Sequence, residues 1–71
     1  MDKNIEGKII KGIKESFVGM VNVYDASKIL NVNPKTVHIY LLEMELKGLL
    51  ERKEIPKGKK ATFRWWKIKE K

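Results

Sequence analysis

The most restrictive feature of this 71-residue sequence is a short break between two helical segments. Asn31 follows a segment of helical periodicity over residues 23–30, and asparagine tolerates the left-handed backbone found at many helix ends. Asn33 then precedes Pro34, a pattern typical of a helix N-cap followed by proline at the first helical position. The sequence therefore predicts two helices joined by a tight turn, the second running over residues 34–47.

An amphipathic helix is predicted ahead of this pair. Ile5, Ile9 and Ile13 recur every four residues within segment 4–16 and would form its buried stripe, which Phe17 widens. Two glycines weaken the segment as an isolated helix, so we expect packing against the rest of the chain to hold it in place.

The apolar pattern changes from helical to alternating after Gly48. Residues 49–55 and 61–68 read as two strands, with turn-forming residues at 56–60 between them, and Met20 with Val21 can add a short strand. A chain of this length has room for one core. We expect a single α+β domain over residues 1–71, mainly helical, with three helices, a short strand and a C-terminal β-hairpin.

The basic charge is concentrated in the hairpin segment. The chain has 16 Lys and Arg against nine Asp and Glu, a net charge of +7. Residues 1–51 contain seven of each sign, so the last twenty residues, with nine basic and two acidic side chains, carry the whole surplus. A basic segment on a neutral body is typical of a polyanion-binding protein, most often one that binds nucleic acid. A lysine-rich surface that only maintains solubility is the alternative.

Several other functions lack support in the sequence. There is no cysteine and a single histidine, and no nucleophile–base pair, phosphate-binding glycine loop or carboxylate pair can be named. We therefore expect no enzymatic activity, no metal, no cofactor and no small-molecule ligand. Apolar runs of three or four residues are far shorter than the roughly 20 needed to span a membrane, and no secretion leader is evident. The expected location is the cytoplasm.

A longer string resembles the winged helix-turn-helix family of DNA-binding domains. The residues that carry the resemblance are DASKILNVNPKTV at 25–37, YL at 40–41 and KGLLER at 47–52. The resemblance implies a helix-turn-helix over residues 22–47, a wing over residues 49–68 and a short tail over residues 69–71. It also implies double-stranded DNA as the partner.

By this resemblance, the first turns of the helix at 34–47 would enter the major groove of DNA. The candidate contacts there are Lys35, Thr36, His38 and Ile39. The candidate contacts of the wing are basic residues that can reach phosphates, with a glycine that lets the tip approach the backbone: Arg52, Lys53, Lys57, Gly58, Lys59, Lys60, Arg64 and Lys67. Solvated side chains without a DNA contact are the alternative for both sets.

The helix at 34–47 is apolar on two sides. The predicted core stripe comprises Val37, Tyr40, Leu41 and Met44, and the opposite stripe comprises Ile39, Leu42 and Leu46. An exposed apolar stripe can contact thymine methyl groups, can mark a dimer interface, or can indicate that the wing leads DNA binding. Glu43 and Glu45 flank this stripe and do not favour an approach of the helix to phosphates, so we favour dimerisation near this surface.

Aromatic residues alternate along the second strand. We expect Trp66 and Ile68 to point inward, and Phe63 and Trp65 to be more exposed. Exposed rings among basic residues can stack on unpaired bases, but more often they cover a helix or a second copy of the chain, and we favour that second interpretation.

The expected function is that of a homodimeric transcriptional regulator that binds double-stranded DNA. Two alternatives stay open: a protein-interaction module that uses the apolar outer face of the helix at 34–47, and a non-specific or single-strand nucleic-acid binder.

Overall fold

The computed structural model describes residues 3–56, 58–59 and 61–70. This part of the chain forms three helices followed by a two-stranded antiparallel sheet: α1 (Lys3–Glu15), α2 (Val23–Leu30), α3 (Pro34–Leu46), β1 (Leu50–Pro56) and β2 (Thr62–Ile68). The predicted α+β architecture, three helices with a C-terminal hairpin, is confirmed. The observed elements begin and end within one residue of the segments that the periodicity predicted.

Side-chain hydrogen bonds define the turn between α2 and α3. Asn31 has φ 54° and ψ 47°, the left-handed conformation that the sequence predicted. The Ser27 hydroxyl donates to the carbonyl oxygen of Val32 at 2.5 Å, and Asn33 Oδ1 accepts from the backbone N–H of Lys35 at 2.8 Å. The two helices are therefore joined by a turn whose polar groups are satisfied locally, which fixes the start of α3 relative to α2.

The core lies between the three helices and the base of the hairpin. Its buried residues in the described part of the chain are Ile9, Ile13, Val21, Ala26, Val37, Leu41, Met44, Leu50 and Trp66. The inner stripe of α3 is as predicted, with Tyr40 half-buried at its margin. Because α3 contributes three of these side chains, it is held to the body along most of its length.

Trp66 anchors the hairpin to the helices. Its side chain is 0% exposed, and its backbone N–H and C=O both pair with Val21, at N···O distances of 2.8 and 3.0 Å. The predicted short strand at Met20–Val21 is thus reduced to this single bridge. Leu50 pairs with Ile68 at the same end of the hairpin, and both pack on the core. The inward orientation predicted for Trp66 and Ile68 is confirmed.

One detail next to α1 differs from the prediction, and another explains why α1 contains a glycine. Phe17 does not widen the buried stripe; it lies in the turn after α1, where its side chain is fully exposed. Gly12, which weakens α1 as an isolated helix, has a packing role. A Cβ atom at this position would lie 2.5 Å from Cδ1 of Ile29, so the glycine allows α2 to approach α1 closely.

Candidate nucleic-acid interface

A groove of about 490 Å³ separates the first turns of α2 and α3 from β2. Lys35 and His38 line it from α3, and Arg64 lines it from β2. The rings of Tyr24 and Phe63 also border it. The fold thus brings three of the predicted DNA contacts, drawn from two distant parts of the sequence, to one concave surface that combines positive charge with aromatic rings.

The four candidate contacts of α3 do not lie on one face. Lys35 and Ile39 are exposed, and 55% of Ile39 is accessible to solvent, whereas Thr36 and His38 are half-buried. The His38 ring packs edge-on against Trp66, with 5.8 Å between ring centroids and 65° between ring planes. Lys35 and Ile39 therefore form the outer surface of the first turns of α3, and His38 belongs to the side that faces the hairpin.

The predicted outer apolar stripe is wrong at Leu42. Leu46 is 87% exposed and Ile39 is largely exposed, but Leu42, between them, is half-buried and packs against the core. A long side chain at the margin of a helix face can lie back on the adjoining core, which periodicity alone does not reveal. The outer face of α3 consequently presents two separate apolar side chains instead of a continuous seam.

Glu45 is directed toward the hairpin. Its Oε1 accepts a hydrogen bond from Trp66 Nε1 at 3.1 Å and lies 3.7 Å from Arg52 Nε. The sequence indicated Glu45 as an acidic residue that would oppose the approach of α3 to phosphates. Its carboxylate instead connects α3 to the hairpin, and a cation offsets its charge.

The cations on the strands have acidic neighbours. Arg52 Nε and Arg64 Nε lie 3.8 and 4.0 Å from Glu54 Oε1, and Lys67 Nζ lies 3.7 Å from Glu51 Oε2. The charge count gave two acids in the last twenty residues but did not show which cations they face. Glu54 lies directly opposite Arg64 in the register, and counting charges along the chain cannot detect such pairing. These side chains are well exposed, so the pairs are weak and open to exchange with phosphate.

Two further cations of the described hairpin residues lie on β1 and in the turn. In residues 50–56, 58–59 and 61–68, Lys53 and Lys59 have no acidic group within 4 Å. Gly58 has φ +87°, the left-handed conformation that glycine permits at the turn. Lys57 and Lys60, also predicted to contact phosphate, lie outside the described residues.

The hairpin has a second face, on the side opposite the buried ring of Trp66. Because directly paired residues of an antiparallel sheet point to the same side, this outer hairpin face is formed by Glu51, Lys53, Ile55, Phe63, Trp65 and Lys67. The Phe63 and Trp65 rings are 6.0 Å apart with an interplanar angle of 36°. Both rings are half-buried, and thus more exposed than Trp66, as predicted.

Tyr24 borders the groove although the sequence did not predict it as a site residue. Tyr24, in the first turn of α2, is 62% exposed and borders the groove. An aromatic side chain in the first turn of the helix before a recognition helix is the signal that could have identified it, because that turn faces the same side as the start of α3.

The described helices include no segment long and apolar enough to cross a membrane. Among residues 3–56, 58–59 and 61–70, no three His, Asp or Glu side chains are grouped so that they could hold a metal ion. The groove itself presents cations and aromatic residues, a combination that suits ion pairing and stacking with a nucleic acid.

The chain has the fold of a solved structure described as a possible transcriptional regulator from Methanosarcina mazei Go1. The two superpose with a TM-score of 0.76 and 18% sequence identity over the whole of this chain, which spans 58% of that protein's chain. No protein-family model matches the sequence, and no curated protein is significantly similar to it. The predicted winged helix-turn-helix fold is confirmed, with β1 and β2 as its wing.

Proposed function

We propose that this protein is a transcriptional regulator that binds double-stranded DNA through α3 and the hairpin. The observation that carries the proposal is the groove between them, where Lys35 and Arg64 stand on opposite walls. Two cations on separate elements suit a phosphate backbone that passes between a helix and a wing. The description of the similar structure as a possible transcriptional regulator supports the same class of function.

In the proposed complex, α3 reads bases from its first turns. Lys35 is exposed there and can donate to guanine O6 and N7 or to a phosphate. Ile39, one turn further along the outer surface, fits the methyl group of a thymine. Thr36 and His38 are half-buried and would contact the sugar-phosphate backbone at the edge of the major groove of the DNA.

The hairpin supplies most of the phosphate contacts in this proposal. Lys53 and Lys59 are available without breaking an ion pair within the described residues. Arg64 and Lys67 would exchange an exposed carboxylate for a phosphate, at small cost because exposed pairs contribute about 0–1 kcal/mol. Arg52 would keep Glu45 and contact a phosphate with its other N–H groups. With about four to six phosphates neutralised, the logarithm of the affinity should fall against the logarithm of the salt concentration with a slope of about −4 to −5.

The test is DNA binding by fluorescence anisotropy, with duplexes selected from a random pool and an unselected duplex of the same length. The double variant Lys35→Gln/Arg64→Gln removes two charges from the groove. Its matched control, Lys8→Gln/Lys11→Gln, removes two charges from exposed positions of α1. We expect the groove variant to lose about tenfold or more in affinity and the control to lose less than about twofold.

Two results would contradict the proposal. One is an equal loss of affinity in the groove variant and the α1 variant, since only net charge would then matter. The other is the absence of any duplex binding at about 50 mM salt, where electrostatic binding is strong. The second result would favour a protein-interaction module.

Dimerisation is part of the same proposal. Leu46 at the end of α3 is 87% exposed, and Leu49, just before β1, is also exposed. Exposed apolar side chains grouped on a small domain are often covered by a second chain, and two-fold symmetry would imply a palindromic DNA site. In static light scattering we expect Leu46→Lys to be monomeric and Phe17→Lys, an exposed apolar position after α1, to keep the dimer mass. A dimer that persists in Leu46→Lys would refute this interface.

A further inference from the structure

The outer hairpin face combines aromatic rings with positive charge on the side of the sheet opposite Trp66, and at one end Phe63 also borders the groove. Phe63 and Trp65 lie 6.0 Å apart with their planes 36° from each other, and Ile55, which pairs with Phe63, is 44% exposed beside them. Lys53 pairs with Trp65 in the register, so an ammonium group extends from the position next to the ring. Rings next to cations form the kind of surface on which the bases of a single strand stack while its phosphates are neutralised.

A second copy of this chain fits that face poorly. A stable dimer interface covers about 800 Å² on each partner, and a large aromatic side chain offers only about 150–250 Å² in total. Phe63 and Trp65 are already half-buried, so these two rings and Ile55 cannot supply such an area. Two outer hairpin faces in contact would also bring together the two segments that carry the whole positive surplus of each chain.

We propose that the outer hairpin face binds single-stranded nucleic acid, with two successive unpaired bases stacked on Phe63 and Trp65. Lys53 neutralises a phosphate of that strand, and Lys67, 3.7 Å from Glu51, provides a second, partly compensated charge at the same face. Two rings inclined to each other suit two bases that are no longer parallel, as in an unstacked strand. This activity does not depend on duplex binding by α3 and adds a second nucleic-acid surface to the wing.

The experiment compares two fluorescein-labelled probes in anisotropy titrations: an oligothymidylate of about ten nucleotides and an abasic strand of equal length, which keeps the phosphates but lacks the bases. We expect the wild-type protein to bind the oligothymidylate about a hundredfold more tightly than the abasic strand, about tenfold for each of the two stacked bases. Trp65→Leu, which removes the ring but keeps an apolar side chain, should lose about tenfold for the oligothymidylate and should bind the abasic strand unchanged.

Three comparisons make the outcome decisive. Trp65→Phe keeps a stacking ring and should retain affinity within about threefold of wild type, while Phe63→Leu should repeat the loss seen for Trp65→Leu. Phe17→Leu removes an exposed ring outside the hairpin and should have no effect. Circular dichroism checks that each variant is folded.

Equal binding of the oligothymidylate and the abasic strand would overturn the stacking proposal, as would full oligothymidylate binding by both Trp65→Leu and Phe63→Leu. Self-association that is lost in Trp65→Leu would assign the face to a second copy instead. Duplex titrations of Trp65→Leu run in parallel separate this result from the proposed function, because Trp65, unlike Phe63, does not line the groove between α3 and the hairpin.

Discussion

Helix α3 and the hairpin meet at Trp66 but present opposite kinds of surface. The helix contains a single lysine or arginine, Lys35, and its exposed side includes Ile39 and Leu46. The hairpin, residues 50–68, has seven basic and two acidic side chains, a net +5 of the chain's +7, and its first strand is mostly exposed away from its base. The helix is held to the core by three buried side chains, whereas the hairpin is held mainly at the end near Trp66.

The difference indicates how the two elements would share the binding of DNA. Lysine and arginine contacts to phosphate increase affinity for every sequence and weaken with salt. Discrimination between bases requires side chains held in a defined position, which a helix packed along its length provides. The hairpin would thus supply affinity and α3 would supply specificity, and Trp66 would set the geometry between them.

The largest effect is expected where the two elements join. Trp66→Ala removes a fully buried ring, its hydrogen bond to Glu45 and its edge-on packing with His38. We expect a loss of about 3–5 kcal/mol in the free energy of unfolding, a large fraction for a domain of this size. Urea denaturation followed by circular dichroism measures it.

Two control variants help to assign the loss of stability in Trp66→Ala. Trp66→Phe keeps most of the buried area and should cost about 1–2 kcal/mol, in part because the acceptor Glu45 loses its donor. Trp65→Ala removes an indole from the outer hairpin face, where the ring is half-buried, and should cost less than Trp66→Ala. Equal destabilisation by Trp65→Ala and Trp66→Ala would show that Trp66 is not the anchor of the hairpin.

The next effect tests specificity in α3. Lys35→Ala should weaken binding to a selected duplex by about 1–3 kcal/mol and binding to an unselected duplex by much less, if Lys35 contacts a base. Competition anisotropy with both duplexes measures the difference. Lys28→Ala, at an exposed position in the last turn of α2, is the matched control. Equal weakening on both duplexes would place Lys35 on a phosphate and remove the contrast between α3 and the hairpin.

A smaller effect tests the hairpin. Lys59→Gln at the turn should weaken all duplexes to a similar extent and reduce the salt slope by about one, the loss of one phosphate contact. Lys11→Gln on α1 changes the same net charge outside the proposed interface. A Lys59→Gln variant with the wild-type slope would show that the tip of the hairpin does not touch DNA.

Short-range patterns made the fold predictable. The two adjacent residues Asn33 and Pro34 specify the N-cap and the first residue of α3. The left-handed Asn31 alone marks the end of α2. The inner stripe of α3 follows from a period of 3.6 residues, and the alternation of strand β2 separates Trp66 from Trp65. Each of these features depends on residues that are neighbours in sequence, so the sequence alone could predict them.

The candidate site was less predictable because it depends on register and tertiary packing. The pairing of Glu54 with Arg64 exists because the hairpin turn places them opposite each other, and the contact of Glu45 with Trp66 joins α3 to β2. Leu42 packs on the core although its position on the helix suggested exposure. Charges and apolar residues could be counted from the sequence, but not their partners.

The smallest expected effect concerns Glu54 and is a gain in affinity. Its Oε1 lies 3.8 Å from Arg52 Nε and 4.0 Å from Arg64 Nε, so the carboxylate offsets two cations on the hairpin. Glu54→Gln removes that negative charge from Arg64 and leaves Arg52 with the Glu45 carboxylate, and we expect duplex affinity to rise about two- to threefold at low salt. The free energy of unfolding should change by less than about 1 kcal/mol, because the pairs are exposed.

The matched control for that gain is Glu15→Gln at the end of α1, which changes the net charge equally but lies outside the hairpin. Anisotropy titrations at low and high salt compare the two variants, and the gain of Glu54→Gln should shrink as salt screens the charge. A loss of affinity in Glu54→Gln would mean that the carboxylate helps by ordering Arg52 and Arg64 for the phosphates. In that case the hairpin, like α3, would bind DNA through side chains held in defined positions. The contrast between a hairpin that acts by charge and a helix that acts by position would no longer hold.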